Sequence, residues 1–352
     1  MQPIVLNRKY EKQGYLGTFK SLEWVRRYNE LGDFVLNVVA SEKMLSLLNP
    51  DNLLIREDDD MVLTIESIML KESSKDGDTL EVKGKSIEKI LDRRIVWNQT
   101  NSKYGETAED FIRRIVDENC INPSDPARKM PDLILGERKG FTEKIDKQVT
   151  GDSVLTVVSE ICVTYGYGFK ITLNDSKKLV FELYKGTDRS YEQSENPVVE
   201  FSPSFGNMIE SEYIFDKENY RNIALVGGEG EGTERKYTTV GNTNVSGLDR
   251  YEMFVDSSGI SSNNGEIAEN EYFLLLAESG YEVLAENSYT ESFEGNVETK
   301  RLYIYKEHYQ MGDVIQTKNK YGISATARIV GIIESENKNG YHVVPTFSTW
   351  EV

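Results

Sequence analysis

The 352-residue chain carries 59 acidic against 41 basic side chains, a formal charge of −18, which repels phosphate and sets aside sequence-independent nucleic-acid binding. Hydrophobic residues at 38 % and charged residues at 28 % fit a folded soluble chain rather than a disordered one, and the length asks for about two to four modules. No apolar stretch approaches the roughly 18 residues needed to span a bilayer, and the opening MQPIVLNRKYEKQ has too short an apolar run for a secretion signal.

Tyrosine is plentiful at 20 copies and proline scarce at 8, a mix that suits strands, where aromatic side chains pack on a pleated face. The first 95 residues read as short strands and tight turns. Trp24–Tyr28 and Phe34–Val39 are apolar runs broken at Gly32-Asp33. Leu53–Ile55 and Met61–Leu70 flank the acidic run Glu57-Asp58-Asp59-Asp60, which reads as a hairpin tip. Asp76-Gly77 is a further turn signal leading into Thr79–Val82. This segment is expected to be a small barrel or sandwich.

From residue 96 to 195 the pattern changes to α+β. Thr107 is placed to cap a helix whose face holds Phe111, Ile112, Ile115 and Val116. A second helix starts near Asp152-Ser153, carries Val154, Leu155, Val158, Ile161, Cys162 and Tyr165, and closes at Gly166. Phe169–Leu173 and Leu179–Tyr184 then form a hairpin over Asn174–Lys177. Strand signals return at Val198–Phe201, Asn222–Val226 and Leu302–Tyr305, and the chain closes on a hairpin of Ala325–Ile333 and Tyr341–Thr346 around Asn339-Gly340. Between them Tyr272–Ala277 and Tyr281–Leu284 read as helical, interrupted at Gly280.

Several motifs that could carry chemistry fall short. Gly84-Lys85-Ser86 follows a strand, but a phosphate-cradling loop needs a glycine where Thr79 stands. Gly227–Gly232 follows the strand ending at Val226, yet no apolar helical pattern comes after it, and its glutamates would face a pyrophosphate; a mobile acidic loop is expected. His308 and His342 have no nucleophile context, and they are too few, with Cys120 and Cys162, for a zinc site. The two cysteines stand in no CxxC pair and read as buried thiols. Asp58-Asp59-Asp60 lacks the spacing of a calcium loop. The many acids leave room for a hydrolase pair, though none stands in a recognisable motif. Asp188 and Arg189, in the turn Gly186–Ser190, are expected to fix a loop by charge-assisted hydrogen bonds.

A set of longer phrases is more specific: WVRRYNELGDF (24–34), GKSIEKILDRRIVWNQT (84–100), YKGTDRS (184–190), NYRNIALVGGEGEG (219–232), GLDRYEMFVD (247–256), HYQMGDVI (308–315, which contains the turn Gly312-Asp313) and VVPTF (343–347). In this order the chain resembles the tail-tip and baseplate hub proteins of long-tailed phages and prophages, the N-terminal hub part of the tail-associated lysin family. That resemblance implies an α+β, mainly β protein. Two small β-barrel-like domains, at 1–95 and at 196–249 with 301–352, would form a tube ring. Peripheral insertions would stand at 96–195 (α+β) and 250–300 (helical). It further implies a non-enzymatic, cofactor-free homotrimer at the tail tip of a virion, assembled in the host bacterial cytoplasm. Its neighbours would be a distal tail protein, a tape-measure protein and a downstream fibre or lysin, with DNA only passing through the channel. Many relatives continue into a hydrolase or fibre, whereas this sequence ends at Trp350-Glu351-Val352, which points to a scaffold. The alternatives are a cell-wall hydrolase with a carboxylate pair and a surface-glycan adhesin.

Overall fold

Alternation decides the first layer. The segment Asp33–Val39 buries Phe34, Leu36 and Val38 and turns the residues between them outward, and Thr79–Ser86 does the same with Leu80 and Val82, the period-two pattern of a half-buried sheet. The computed structural model describes residues 1–75, 77–297 and 302–349; Asp76 of the expected turn and Trp350–Val352 lie outside the described residues. The first part comprises β1 (Pro3–Leu6), β2 (Lys12–Tyr15), β3 (Ser21–Arg27), β4 (Asp33–Val39), the short helix α1 (Glu42–Leu47), β5 (Leu53–Arg56), β6 (Asp59–Lys71) and β7 (Thr79–Ser86). Their inner side chains, among them Trp24, Phe34, Leu36, Leu63 and Val82, form one cluster.

The next part opens with a 3-10 turn at Ile87–Arg93, followed by β8 (Thr100–Asn101), α2 (Ala108–Val116), β9 (Leu133–Leu135), β10 (Gln148–Val149), α3 (Val154–Tyr165), β11 (Gly168–Leu173) and β12 (Leu179–Tyr184). Helix α2 starts where Thr107 Oγ1 accepts from the Asp110 amide (3.1 Å), and α3 ends at Gly166 with φ +65°. The hairpin β11–β12 gains a third strand, β9, in parallel, which the sequence reading did not anticipate. Phe111, Ile112, Ile161 and Phe181 join a core that continues beneath β1, β5 and β6 through Ile4, Leu53 and Val62.

The remaining strands are β13 (Glu200–Phe201), β14 (Met208–Asp216), β15 (Ile223–Gly227), β16 (Tyr237–Gly241), β17 (Glu252–Asp256), β18 (Thr290–Val297), β19 (Val314–Lys318), β20 (Ser324–Asn337) and β21 (Gly340–Thr349), with helix α4 (Glu269–Glu286) between β17 and β18. The class is α+β and mainly β. Two closed barrels are not formed among the described residues. A 13-stranded sheet runs instead as β14-β18-β21-β20-β3-β4-β7-β6-β5-β1-β2, with β19 and β13 branching from β20. The reason lies in β20, whose 14 residues are long enough to serve two neighbours on one side. Ser324–Arg328 pairs with β19 and Gly331–Asn337 with β3, while β21 covers the other side.

Three further differences have physical causes. The run Asn222–Val226, expected in the second barrel, supplies β15 to a separate sheet ordered β16-β15-β17, because Ala224 and Val226 bury against Tyr272, Leu276 and Leu284 of α4. The small unit therefore begins before residue 250, whereas β18, inside the expected insertion, belongs to the large sheet. Leu302–Tyr305 forms no strand; Tyr303 and Tyr305 pack as rings on Phe201 (5.9 Å) and Tyr309 (5.6 Å). Gly280 does not interrupt α4. A Cβ there would stand 2.5 Å from methyl carbons of both Val226 and Val240, so glycine lets the helix lie on the sheet at a cost in helix propensity of about 1 kcal/mol.

Candidate functional site

Strand β3 carries Arg26 to the rim of the large sheet, the β5–β6 hairpin brings Asp58, Asp59 and Asp60, β11 brings Lys170, and the loop before β19 brings Lys306. They meet at a cleft of about 630 Å³ between the first sheet, the α+β unit and the 305–313 segment. The guanidinium of Arg26 donates to Asp59 and, at 2.6 Å, to Asp60. The ammonium of Lys306 donates to the second oxygen of Asp59 (2.7 Å) and to the Asp58 carbonyl (2.6 Å), and Lys170 donates to Asp60 (2.6 Å). Beneath them Arg56 donates to Asp58 through Nε (2.9 Å) and to Glu334 through Nη1 (2.7 Å), with both the Arg56 and Glu334 side chains nearly sealed from solvent at 1 % and 3 % exposed. Tyr341 Oη adds a second donor to Glu334 (3.0 Å).

Four cations thus face four carboxylates. The Arg56 hydrogen bond holds the Asp58 carboxyl down to about 2. Burial opposes ionisation of Asp60, but Arg26 and Lys170 outweigh it and bring its carboxyl to about 2. Asp59 is likewise lowered, its burial outweighed by Arg26 and Lys306. Burial pushes the hydroxyls of Tyr184 and Tyr305 up, so they stay protonated. Hydrolysis by a carboxyl pair needs one acid that keeps its proton near neutral pH, and these three lining carboxyls are all held ionised. The cleft is suited to locking three segments together.

A second knot lies at its floor and includes the turn residues marked in the sequence. Asp313, whose side chain is 2 % exposed, accepts from the Thr187 amide (2.7 Å), the Gln310 amide (2.9 Å) and Arg189 Nε (2.8 Å). Asp188 is exposed and caps its own turn by accepting from the Ser190 amide (2.8 Å). Arg189 therefore pairs with Asp313 rather than with its neighbour. Gly312, at φ +88°, lies against the Tyr28 ring, where a Cβ would come within 2.3 Å of Cε2; a Cβ on Gly186 would come within 1.9 Å of the Gly312 carbonyl carbon. The two chain segments touch backbone to backbone, and only glycine permits it. Tyr28 Oη donates into this seam towards the Gly166 carbonyl (3.0 Å).

The family model for the Siphovirus ReqiPepy6 Gp37-like protein matches residues 3–347. The chain belongs to that family. The Gp37-like fold is shared with three solved proteins. The 43 kDa tail protein of prophage MuSo2 from Shewanella oneidensis has a TM-score of 0.61 at 11 % identity, covering 99 % of this chain and 98 % of its own. The tail protein of Neisseria meningitidis MC58 gives 0.58 at 14 %, covering 99 % and 96 %. The prophage tail protein gp18 of Listeria monocytogenes EGD-e gives 0.55 at 13 %, covering 99 % and 94 %. No curated protein matches. The resemblance to tail proteins of long-tailed phages and prophages, read from short phrases, therefore holds over the whole chain.

In this Gp37-like chain the remaining motifs do not line the cleft. Gly84-Lys85-Ser86 is the end of β7, not a loop. The Gly227–Gly232 loop joins β15 to β16 and is tethered: Tyr272 Oη accepts from the Glu229 amide (2.7 Å), and the Glu229 carboxylate accepts from the Ser262 amide (3.0 Å). His308 Nδ1 accepts from the Ile304 amide (3.1 Å), while His342 lies exposed on β21. Cys120 and Cys162 are buried and unpaired with each other, and burial raises the Cys120 thiol to about 12. Among the described residues no group of three or more His, Cys, Asp or Glu is placed to hold a metal ion, and no helix is long and apolar enough to cross a membrane. The sequence reading marked the acidic tip but missed its cations: Arg56 lies two residues from Asp58, while Arg26, Lys170 and Lys306 come from positions 33, 110 and 247 residues away.

Proposed function

We propose that this protein is a non-enzymatic structural hub of a phage or prophage tail tip, closing the tail tube as a ring-shaped homotrimer in the virion. The observation that carries this reading is the whole-chain agreement with the family model and with the fold of three tail proteins, two of them from prophages. The locked ion-pair junction favours a scaffold: it fixes three segments and holds Asp58, Asp59 and Asp60 ionised. Among the described residues the main path of the large sheet ends on β14 and β2, and its branch ends on β13. Free edges invite pairing with another chain, and a ring of copies would cover them. In this reading the large sheet lines the tube, while the α+β unit and the small α4 unit stand outside it. The distal tail protein, the tape-measure protein and a downstream fibre or lysin are the neighbours, and DNA only passes through. Three copies at −18 each would give a lumen that does not hold phosphate.

Sedimentation of the purified chain across salt and protein concentration tests the assembly. A monomer–trimer balance that moves towards trimer near about 0.15 M salt is expected, since salt screens the repulsion of acidic subunits. A strict dimer would refute the ring.

A further inference from the structure

The small unit meets the α+β unit where α4 crosses α3, and the polar groups there do not balance. Lys147, with its side chain 7 % exposed, donates to Glu282 of α4 and, at 3.5 Å, to Glu160 of α3. One turn away along α4, Glu278 Oε1 lies 2.7 Å from Tyr165 Oη of α3. The same Tyr165 oxygen lies 2.9 Å from the Lys144 carbonyl. The charged groups around Glu278 are Glu282 on its own helix and Asp146 and Lys147 on the segment before β10; Glu160 on α3 shares that lysine. Lys147 is shared by three carboxyl groups, Glu160, Glu278 and Glu282.

A proton count at Tyr165 bears on the protonation. A phenol has one proton to donate and a carbonyl has none. Each contact has a proton of its own when Tyr165 donates to the Lys144 carbonyl and a protonated Glu278 donates to Tyr165 Oη; otherwise the two acceptors share the single phenol proton. With Glu278 ionised, Tyr165 turns that proton towards the carboxylate, and less of it is left for the Lys144 carbonyl at 2.9 Å. We propose that Glu278 is a proton-operated latch: the docked small unit holds a proton at this carboxyl, and losing that proton loosens α4 from α3.

Burial pushes the Glu278 carboxyl up to about 7, against an ordinary 4.5 in water; the Tyr165 hydroxyl and Lys147 pull it down and the charges of Glu282 and Asp146 push it up, while burial also raises Glu160. The docked state thus binds a proton that the undocked state lacks between those two values. Docking is therefore fully favoured below about pH 4.5, weakens as pH rises towards about 7, and is level above that, a change of about two orders of magnitude at most in the docking equilibrium. The uncharged contacts across the seam, Gln148 with Ser261 in both directions (3.0 and 3.2 Å) and Gln99 with Asn263 (3.0 Å), do not titrate, so the pH dependence of docking comes from the carboxyl groups.

The Ser261 amide, which donates to Gln148 across this seam, reports docking. Its hydrogen-exchange protection in the full chain, corrected for the intrinsic pH dependence of exchange, is expected to fall by about ten- to a hundredfold from pH 5 to pH 8. Glu278→Gln, whose amide can donate to Tyr165 at every pH, is expected to keep the acid-side protection throughout. Titration of the Glu278 carboxyl carbon in glutamate-labelled protein, assigned by its loss in that variant, is expected to show a midpoint near 7. Equal protection at both pH values in the wild type, an unchanged slope in Glu278→Gln, or a midpoint near 4.5 would overturn the latch. Where the variant fails to fold, the wild-type exchange profile decides.

Discussion

Two acid-rich regions of this molecule behave in opposite ways. At the β5–β6 tip, Asp58, Asp59 and Asp60 sit side by side, yet Arg56, Arg26, Lys306 and Lys170 reach them and hold their protons off. At the α3–α4 seam, Glu160, Glu278 and Glu282 share Lys147 alone, and one carboxyl keeps its proton instead. Burial opposes ionisation in both places. What differs is the number of cations the fold brings in, so an acidic run in the sequence does not by itself foretell its proton affinity.

The sharpest way to break this contrast is to remove a buried cation from the first region. Arg56→Ala leaves Glu334, 3 % exposed, without its main partner and is expected to cost about 3–5 kcal/mol in denaturant unfolding, as for other half-deleted buried pairs. Removing Arg189 leaves Asp313 with two backbone donors, so Arg189→Ala is expected to cost about 1–3 kcal/mol. The pH dependence separates the regions by sign. Asp58 and Asp60 have lowered folded values, so their stabilisation is complete above about 4 and is lost as pH falls towards 2. Stability measured by denaturant between pH 5 and pH 3 should decline through these groups, while docking at the α3–α4 seam stays at its strongest. The smallest effect belongs to Asp188→Ala. Its carboxylate is exposed and accepts from one turn amide, and its loss is expected to cost under about 1 kcal/mol, seen as a melting shift well below that of Arg189→Ala.

Local chemistry was legible in the sequence and distant pairing was not. Thr107 and Gly166 mark helix ends through bonds made within a few residues, and the hairpin over Asn174–Lys177 joins adjacent strands. The strand pair β14–β18 matches Met208 to Val297, across an intervening unit, and nothing in either segment names the other. The double use of β20 escaped notice for the same reason: Ala325–Ile333 reads as one hairpin arm, but its neighbours β3 and β19 lie at opposite ends of the chain. At the site, Asp188 and Arg189 stand out by turn composition, whereas the Arg189 partner is 124 residues away. Gly280 looked like a helix breaker because the sequence does not display Val226 and Val240 pressed against it.

Cryo-electron microscopy of intact tails from the phage or induced prophage that encodes this chain tests the hub reading most directly. The account predicts three copies in one ring at the tip, with the large sheet lining the channel and the α4 unit on the outside. Five or six copies in that ring, or copies repeated along the tube, would contradict it.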